Sequence, residues 1–157
     1  MEEKTHSFNY RVYTDPSELN PAEKSLTEAA VRAMEKAYAP YSKFHVGAAV
    51  LLDDGTTVIG ANQENVAYPA GLCAERTAMF AAGANYPKVP FAALAIAGGP
   101  EGVLTDSPVT PCGECRQVMA EYARRYGKSF ALLLVGKTAV YRFDDCLSLL
   151  PFGFAER

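Results

Sequence analysis

Short apolar runs alternating with amphipathic stretches predict an α/β fold: a three-layer α/β/α sandwich around a mixed five-stranded sheet. Three observations carry that expectation. Phe91 to Gly98 is a continuous apolar run bounded by Pro90 and Gly99, as in a central strand covered on both faces. Asp53-Asp54-Gly55 separates two apolar runs, His45–Leu52 and Thr57–Ala61, and reads as a hairpin turn because Gly tolerates the positive φ such turns need. Gly136-Lys137 joins Phe130–Val135 to Ala139–Phe143. A link that short permits only an antiparallel return, so the last strand pair is antiparallel.

The elements follow in chain order. Within residues 1–19, Phe8, Tyr10 and Val12 alternate with polar residues. That pattern fits a short strand or docked arm on one reading and a mobile tail on the other. Asn20-Pro21-Ala22-Glu23 reads as a helix start: Asn20 caps, Pro21 suits the first turn, and Glu23 stands where a capping-box acid belongs. Leu26, Ala30, Ala33 and Ala37 form the apolar stripe of that helix, flanked by Met34 and Tyr38, and Pro40 ends it. After the hairpin, Asn62-Gln63-Glu64-Asn65 is too polar for a core strand and lies at the hairpin's exit. Val66 to Leu72 is a loop. A helix from Cys73 to about Ala84 is stopped by Gly83 and Pro87. Cys112 to Arg125 is the next helix, with Val118, Met119 and Tyr122 on one side and Gly127 at its end. Asp144 to Leu150 reads as a short final helix halted by Pro151. Residues 1–19 are thus an N-terminal arm and 20–157 a single domain.

The chain has 157 residues, 49% of them hydrophobic, enough for one domain with a substantial core. A net charge of −3 lacks the basic footprint of a nucleic-acid binder, so no nucleic-acid partner is expected. No apolar run approaches the roughly 18 residues of a membrane span. Met1-Glu2-Glu3-Lys4 is charged and leads into no apolar segment, unlike a secretory signal. Four cysteines without such a signal point to a reducing cytoplasm, where clustered thiols more often bind metal than pair.

The chemistry concentrates at two helix starts, Cys73-Ala74-Glu75-Arg76 and Pro111-Cys112-Gly113-Glu114-Cys115. Three thiols there can close on one metal ion. A redox dithiol would not require the third cysteine beside a glutamate. A structural zinc site would need a fourth protein ligand, for which Cys146 is the candidate. Three thiolates with the fourth position open make a catalytic zinc site, and that is the count favoured. Such a site carries net negative charge. Helix N-termini offset it by favouring thiolate, and Arg76, on the same helical face as Cys73, can donate to the sulfurs. Glu75 projects away from Cys73, beside the ion and not onto it. There it can take a proton from water and return it to a leaving group.

Cys73-Ala74-Glu75 with Pro111-Cys112-x-x-Cys115 resembles the signature of the zinc-dependent cytidine deaminases. Pro40-Tyr41-Ser42-Lys43-Phe44-His45-Val46-Gly47-Ala48-Ala49 is similar to the first hairpin of the free-nucleoside members. Asn62-Gln63-Glu64-Asn65-Val66-Ala67-Tyr68-Pro69 is similar to their ribose-binding segment. A Cys at the first ligand position resembles the small homotetrameric form. The resemblance implies that Cys73, Cys112 and Cys115 bind one Zn2+ per subunit and that Glu75 shuttles protons. It further implies that Asn62 and Glu64 hydrogen-bond the sugar, that Phe44 packs against the nucleoside, that the Ala74 backbone helps read the base, and that Tyr68 borders the pocket. In such tetramers a C-terminal aromatic, here Phe152 or Phe154, can close a neighbour's site. The expected activity is hydrolytic deamination of cytidine and deoxycytidine in cytoplasmic pyrimidine salvage. A blasticidin-type aminonucleoside deaminase shares the metal motif, but Asn62-x-Glu64-Asn65 speaks against it.

Overall fold

The computed structural model describes residues 1–155. The chain runs β1 (Arg11–Tyr13), α1 (Pro21–Ala33), β2 (Phe44–Leu52), β3 (Thr57–Ala61), α2 (Ala74–Asn85), β4 (Phe91–Pro100), α3 (Gly113–Arg125), β5 (Ala131–Val135) and β6 (Val140–Phe143). These strands form one mixed sheet in the order β1-β6-β5-β4-β2-β3. Only β4 and β5 pair in parallel; β5 and β6 pair antiparallel, as their short link requires.

The sheet has six strands where the sequence predicts five. The extra strand is β1, which pairs antiparallel with β6, setting Val12 opposite Tyr141. Its docking rests on contacts distant in sequence. The Tyr10 ring stacks on Phe143 at 5.2 Å and meets Tyr141 at 5.5 Å, and Arg11 donates to Asp144 at 2.9 Å. No local pattern in residues 1–19 reveals those partners.

The strand alternation splits the core into two layers of apolar contact. Ala48, Val50, Leu52, Leu94, Ile96, Leu132 and Leu134 face α2 and α3. Ala49, Ala93, Ala95, Ala97, Leu133 and Val135 face α1. Helix α1 begins where the sequence predicts, with the Asn20 side chain accepting the Glu23 N–H at 2.9 Å. Glu23 departs from its expected capping role. Its carboxylate is buried and accepts from Arg142 Nε of β6 at 2.8 Å, because a buried acid gains more from a charged partner than from a backbone amide. The final helix expected over 144–150 is only a 3₁₀ turn, Cys146–Leu149.

One close approach sets the position of the site. A Cβ at Gly60 of β3 would stand 2.4 Å from the Ala78 nitrogen and 2.8 Å from the Ala74 carbonyl oxygen. Glycine there lets the first turns of α2 lie directly on the sheet.

Candidate metal and substrate site

Cys73 is the N-cap of α2 and Cys112 the N-cap of α3; neither side chain caps its own helix, so both thiols are free for other partners. Cys115 lies in the first turn of α3 and is fully buried. The sulfurs of Cys73 and Cys112 are 3.9 Å apart and those of Cys112 and Cys115 3.5 Å, with all three inside 4.8 Å of one another. Tetrahedral zinc with bonds of about 2.3 Å to sulfur sets its ligands about 3.8 Å apart, so these thiols fit the ion. No fourth His, Cys, Asp or Glu joins the cluster among the described residues. Cys146 lies elsewhere, buried against Ser129 at 3.5 Å, which removes the candidate fourth ligand.

The electrostatics follow from the helix starts. The Cys73 thiol is depressed to about 5, first by a hydrogen bond from Cys115, then by the Arg76 guanidinium and Cys112, against the opposing effect of burial. Cys115, the partner in that bond, is pushed up by it and by burial. Arg76 donates to Cys73 Sγ at 3.5 Å and pairs with Glu114 at 2.9 Å, so it ties the two helix starts together beside the sulfurs. Glu75 is 5% exposed, and burial raises its carboxyl to about 7, with the Cys73 thiolate adding to the shift. A carboxyl poised near neutrality can both accept and donate a proton.

Two cavities meet at this cluster and share Asn62 and Cys73. The inner one, about 210 Å³, is lined by Phe44, Val46, Ala74, Glu75, Thr110 and Cys112 among others. The outer one, about 550 Å³, carries Tyr41, Ser42, Glu64, Asn65, Tyr68 and Arg76. The inner walls are apolar at Phe44, Val46, Ala74, Ile96 and Val109, with Asn62, Glu75 and Thr110 as the polar exceptions, whereas the outer cavity adds Gln63, Glu64 and Asn65. A planar ring fits the first kind of space and a hydroxylated group the second.

Asn62 and Glu64 are more tightly held than the sequence suggests. Asn62 Oδ1 accepts the Val46 N–H at 2.8 Å, and Nδ2 donates to the Phe44 carbonyl at 2.9 Å. One N–H of that amide remains for a ligand. Glu64 Oε2 accepts the N–H groups of Tyr41 at 2.9 Å and Ser42 at 3.2 Å, which leaves Oε1. The nearby Ser42 side chain first, and then these two amides, hold the Glu64 carboxyl below its usual range. Tyr68 is 78% exposed at the outer rim, its ring 6.4 Å from that of Tyr41 in an edge-on contact.

The structure thus brings Cys73, Cys112, Cys115, Glu75, Arg76, Ala74, Phe44 and Asn62 together, with Glu64 and Tyr68 lining the adjoining cavity. Phe152 and Phe154 stand in solvent, away from these walls. Sequence reasoning missed Arg116. Its guanidinium donates to the Pro111 carbonyl at 2.8 Å and the Leu149 carbonyl at 3.1 Å, which fixes the loop that delivers Cys112. Its place directly after Cys115 was the available signal.

Comparison with known proteins agrees with this geometry. Residues 21–127 match the family described as the cytidine and deoxycytidylate deaminase zinc-binding region. The cytidine deaminase of Sporosarcina psychrophila is 51% identical over 134 residues, covering 85% of this chain and 91% of that protein. That of Halalkalibacterium halodurans is 48% identical over 96 residues, covering 61% of this chain and 68% of its own. The crystal structure of cytidine deaminase from Burkholderia pseudomallei superposes with a TM-score of 0.71 at 42% identity, covering 83% of this chain and 97% of that one. With most of its length matched and its thiols spaced for the ion, this chain belongs to the cytidine and deoxycytidylate deaminase zinc-binding family.

Proposed function

We propose that the chain deaminates cytidine and deoxycytidine, converting each with water into uridine or deoxyuridine and ammonia. One observation carries the reading: of three thiols spaced for zinc, Cys73 and Cys112 line one cavity with buried Glu75, whose carboxyl burial pushes up to about 7. The relatives named above are cytidine deaminases, which supports the same substrate. Bound zinc, on Cys73, Cys112 and Cys115, supplies the Lewis acidity that lets water lose a proton near neutral pH.

The chain's own residues do the rest. Glu75 accepts the water's proton on a carboxylate oxygen and passes it to N3 of the cytosine ring. The water oxygen, freed of that proton, adds to C4. Glu75 then takes the proton left on the new C4 hydroxyl and carries it to the amino nitrogen, so that the C4–N bond breaks, ammonia leaves and the C4 carbonyl forms. Phe44 supports the ring, and the Ala74 N–H at the start of α2 donates to its polar edge. The remaining N–H of Asn62 and Oε1 of Glu64 bind the sugar hydroxyl. Without a sugar those groups stay unpaired, so bare cytosine is a poor substrate.

The finer reading extends to assembly. The solvent-facing Tyr38, Val66, Tyr68, Phe152 and Phe154 support a homotetramer in which a C-terminal phenylalanine closes a neighbour's site. Residues 20–157 form the catalytic domain and residues 1–19 an arm. A place in cytoplasmic pyrimidine salvage follows from the free-nucleoside substrate.

The experiment is loss of cytidine absorbance with the zinc-loaded protein, run beside Glu75→Gln. The unaltered protein is expected to consume cytidine and deoxycytidine but not cytosine. Glu75→Gln is expected to keep its zinc and lose about 10²-fold or more in turnover. Full activity in a zinc-loaded Glu75→Gln protein, or equal turnover of cytosine and cytidine, contradicts the assignment.

A further inference from the structure

Phe44 forms a wall of the inner cavity, yet the sheet does little to place it. It opens β2, outside the segment paired to β3, and its partner across β4 is Pro100. The bond to β4 is made one residue earlier, from the Glu101 N–H to the Lys43 carbonyl at 2.8 Å. The N–H and C=O of Phe44 therefore point to the β3 side, where β3 has already ended at Ala61. The two peptide groups of Phe44 are held by side chains instead. Its N–H donates to Ser42 Oγ at 3.0 Å, and its carbonyl accepts from Asn62 Nδ2 at 2.9 Å. Between Ser42 and Phe44, Lys43 adopts a φ of 57°, a left-handed conformation that a non-glycine residue keeps only when its surroundings impose it.

Ser42 is in turn held by the outer cavity. Its own N–H, with that of Tyr41, donates to Glu64 Oε2. A hydrogen-bonded chain therefore runs from Glu64, through the Ser42 backbone and hydroxyl, to the backbone of Phe44.

We infer that Ser42 is a positioning residue for substrate, acting through Phe44: its hydroxyl fixes the aromatic wall of the inner cavity relative to the Glu64 side of the outer one. The inference rests on the proposed cytidine site and adds a residue that touches neither zinc nor the reacting atoms. Losing the hydroxyl frees the Phe44 amide and lets the ring drift from the base plane. That weakens binding and leaves proton transfer at Glu75 untouched.

The test compares Ser42→Ala and Ser42→Thr with the unaltered protein by steady-state kinetics on cytidine. Stranding a hydrogen-bonding partner costs roughly tenfold in affinity, so Ser42→Ala is expected to raise KM about tenfold. A positioning effect on binding leaves kcat within about threefold, and Ser42→Thr, which keeps the hydroxyl, returns KM to within about threefold. An unchanged KM in Ser42→Ala, a loss confined to kcat, or no rescue by threonine overturns the inference. Amide exchange of the unaltered protein is the second measurement and does not depend on any variant folding. The Phe44 amide is expected to exchange as slowly as that of Val46, and exchange as fast as at Thr5 overturns the clamp. If the unaltered protein consumes no cytidine, the proposed function fails by itself, and the exchange result alone then decides on the clamp.

Discussion

Arg76 shows how one side chain can serve charge and geometry together. Its guanidinium spans Cys73 of α2 and Glu114 of α3, beside sulfurs that carry negative charge when they hold a metal. Removing it leaves that charge less compensated and frees the two helix starts. Arg76→Ala is expected to lower zinc affinity or activity by about 10–100-fold, the usual effect of losing a partner of the ligand shell. Zinc retention during dialysis against a chelator checks it, and unaltered retention with unaltered turnover contradicts it. Glu64 gives a pH prediction at the same scale. Its carboxyl lies below the ordinary value of 4.5 because Ser42 and the amides of Tyr41 and Ser42 favour the charged form. The stabilisation is therefore fully present above the ordinary value and is lost as pH falls through the depressed one. Protection of the Tyr41 and Ser42 amides is expected to persist down to pH 4.5 and fade only below it. Loss of that protection between pH 6 and pH 5, roughly, points to a different holder of the loop.

At the scale of elements, the site depends on how closely α2 lies on β3. The helix delivers Cys73, Glu75 and Arg76 from its first turn, and Gly60 beneath that turn has no room for a methyl group. Gly60→Ala forces the helix off the sheet, and overpacking of this kind costs about 1–3 kcal/mol. Thermal unfolding is expected to shift down, with turnover falling further than stability because the Cys73–Cys112 spacing changes. Gly113→Ala is the contrast for stability, since a Cβ there meets nothing within 4 Å. Equal melting of the two variants contradicts the close-packing account.

For the whole molecule, the open question is what the first strand contributes. Arg11 and Arg142 face each other across β1 and β6, and Asp144 bridges both. Arg142 also holds buried Glu23, so the network joins β1, α1 and the edge of β6. Deleting residues 1–13 bares the β6 edge with Tyr141 and Phe143, an invitation to pair with another chain. The truncated protein is expected to deaminate cytidine normally at low temperature, melt earlier and scatter light on warming. An unchanged melting temperature means that β1 contributes nothing to stability.

The metal ligands, the glutamate beside them and the type of most elements were legible in the chain itself. Those features are local: capping residues, turn glycines, strand and helix periodicity, and the spacing of Cys73, Glu75, Cys112 and Cys115 all act within a few positions. Tertiary structure alone decided the sixth strand, the pairing of Glu23 with Arg142, the exclusion of Cys146 from the cluster, and the holding of Asn62 and Glu64 by the Tyr41–Val46 stretch. Each of these is a contact between segments far apart in sequence. A short polar side chain carries no mark of which distant amide it will meet, and only the closed sheet brings the two together.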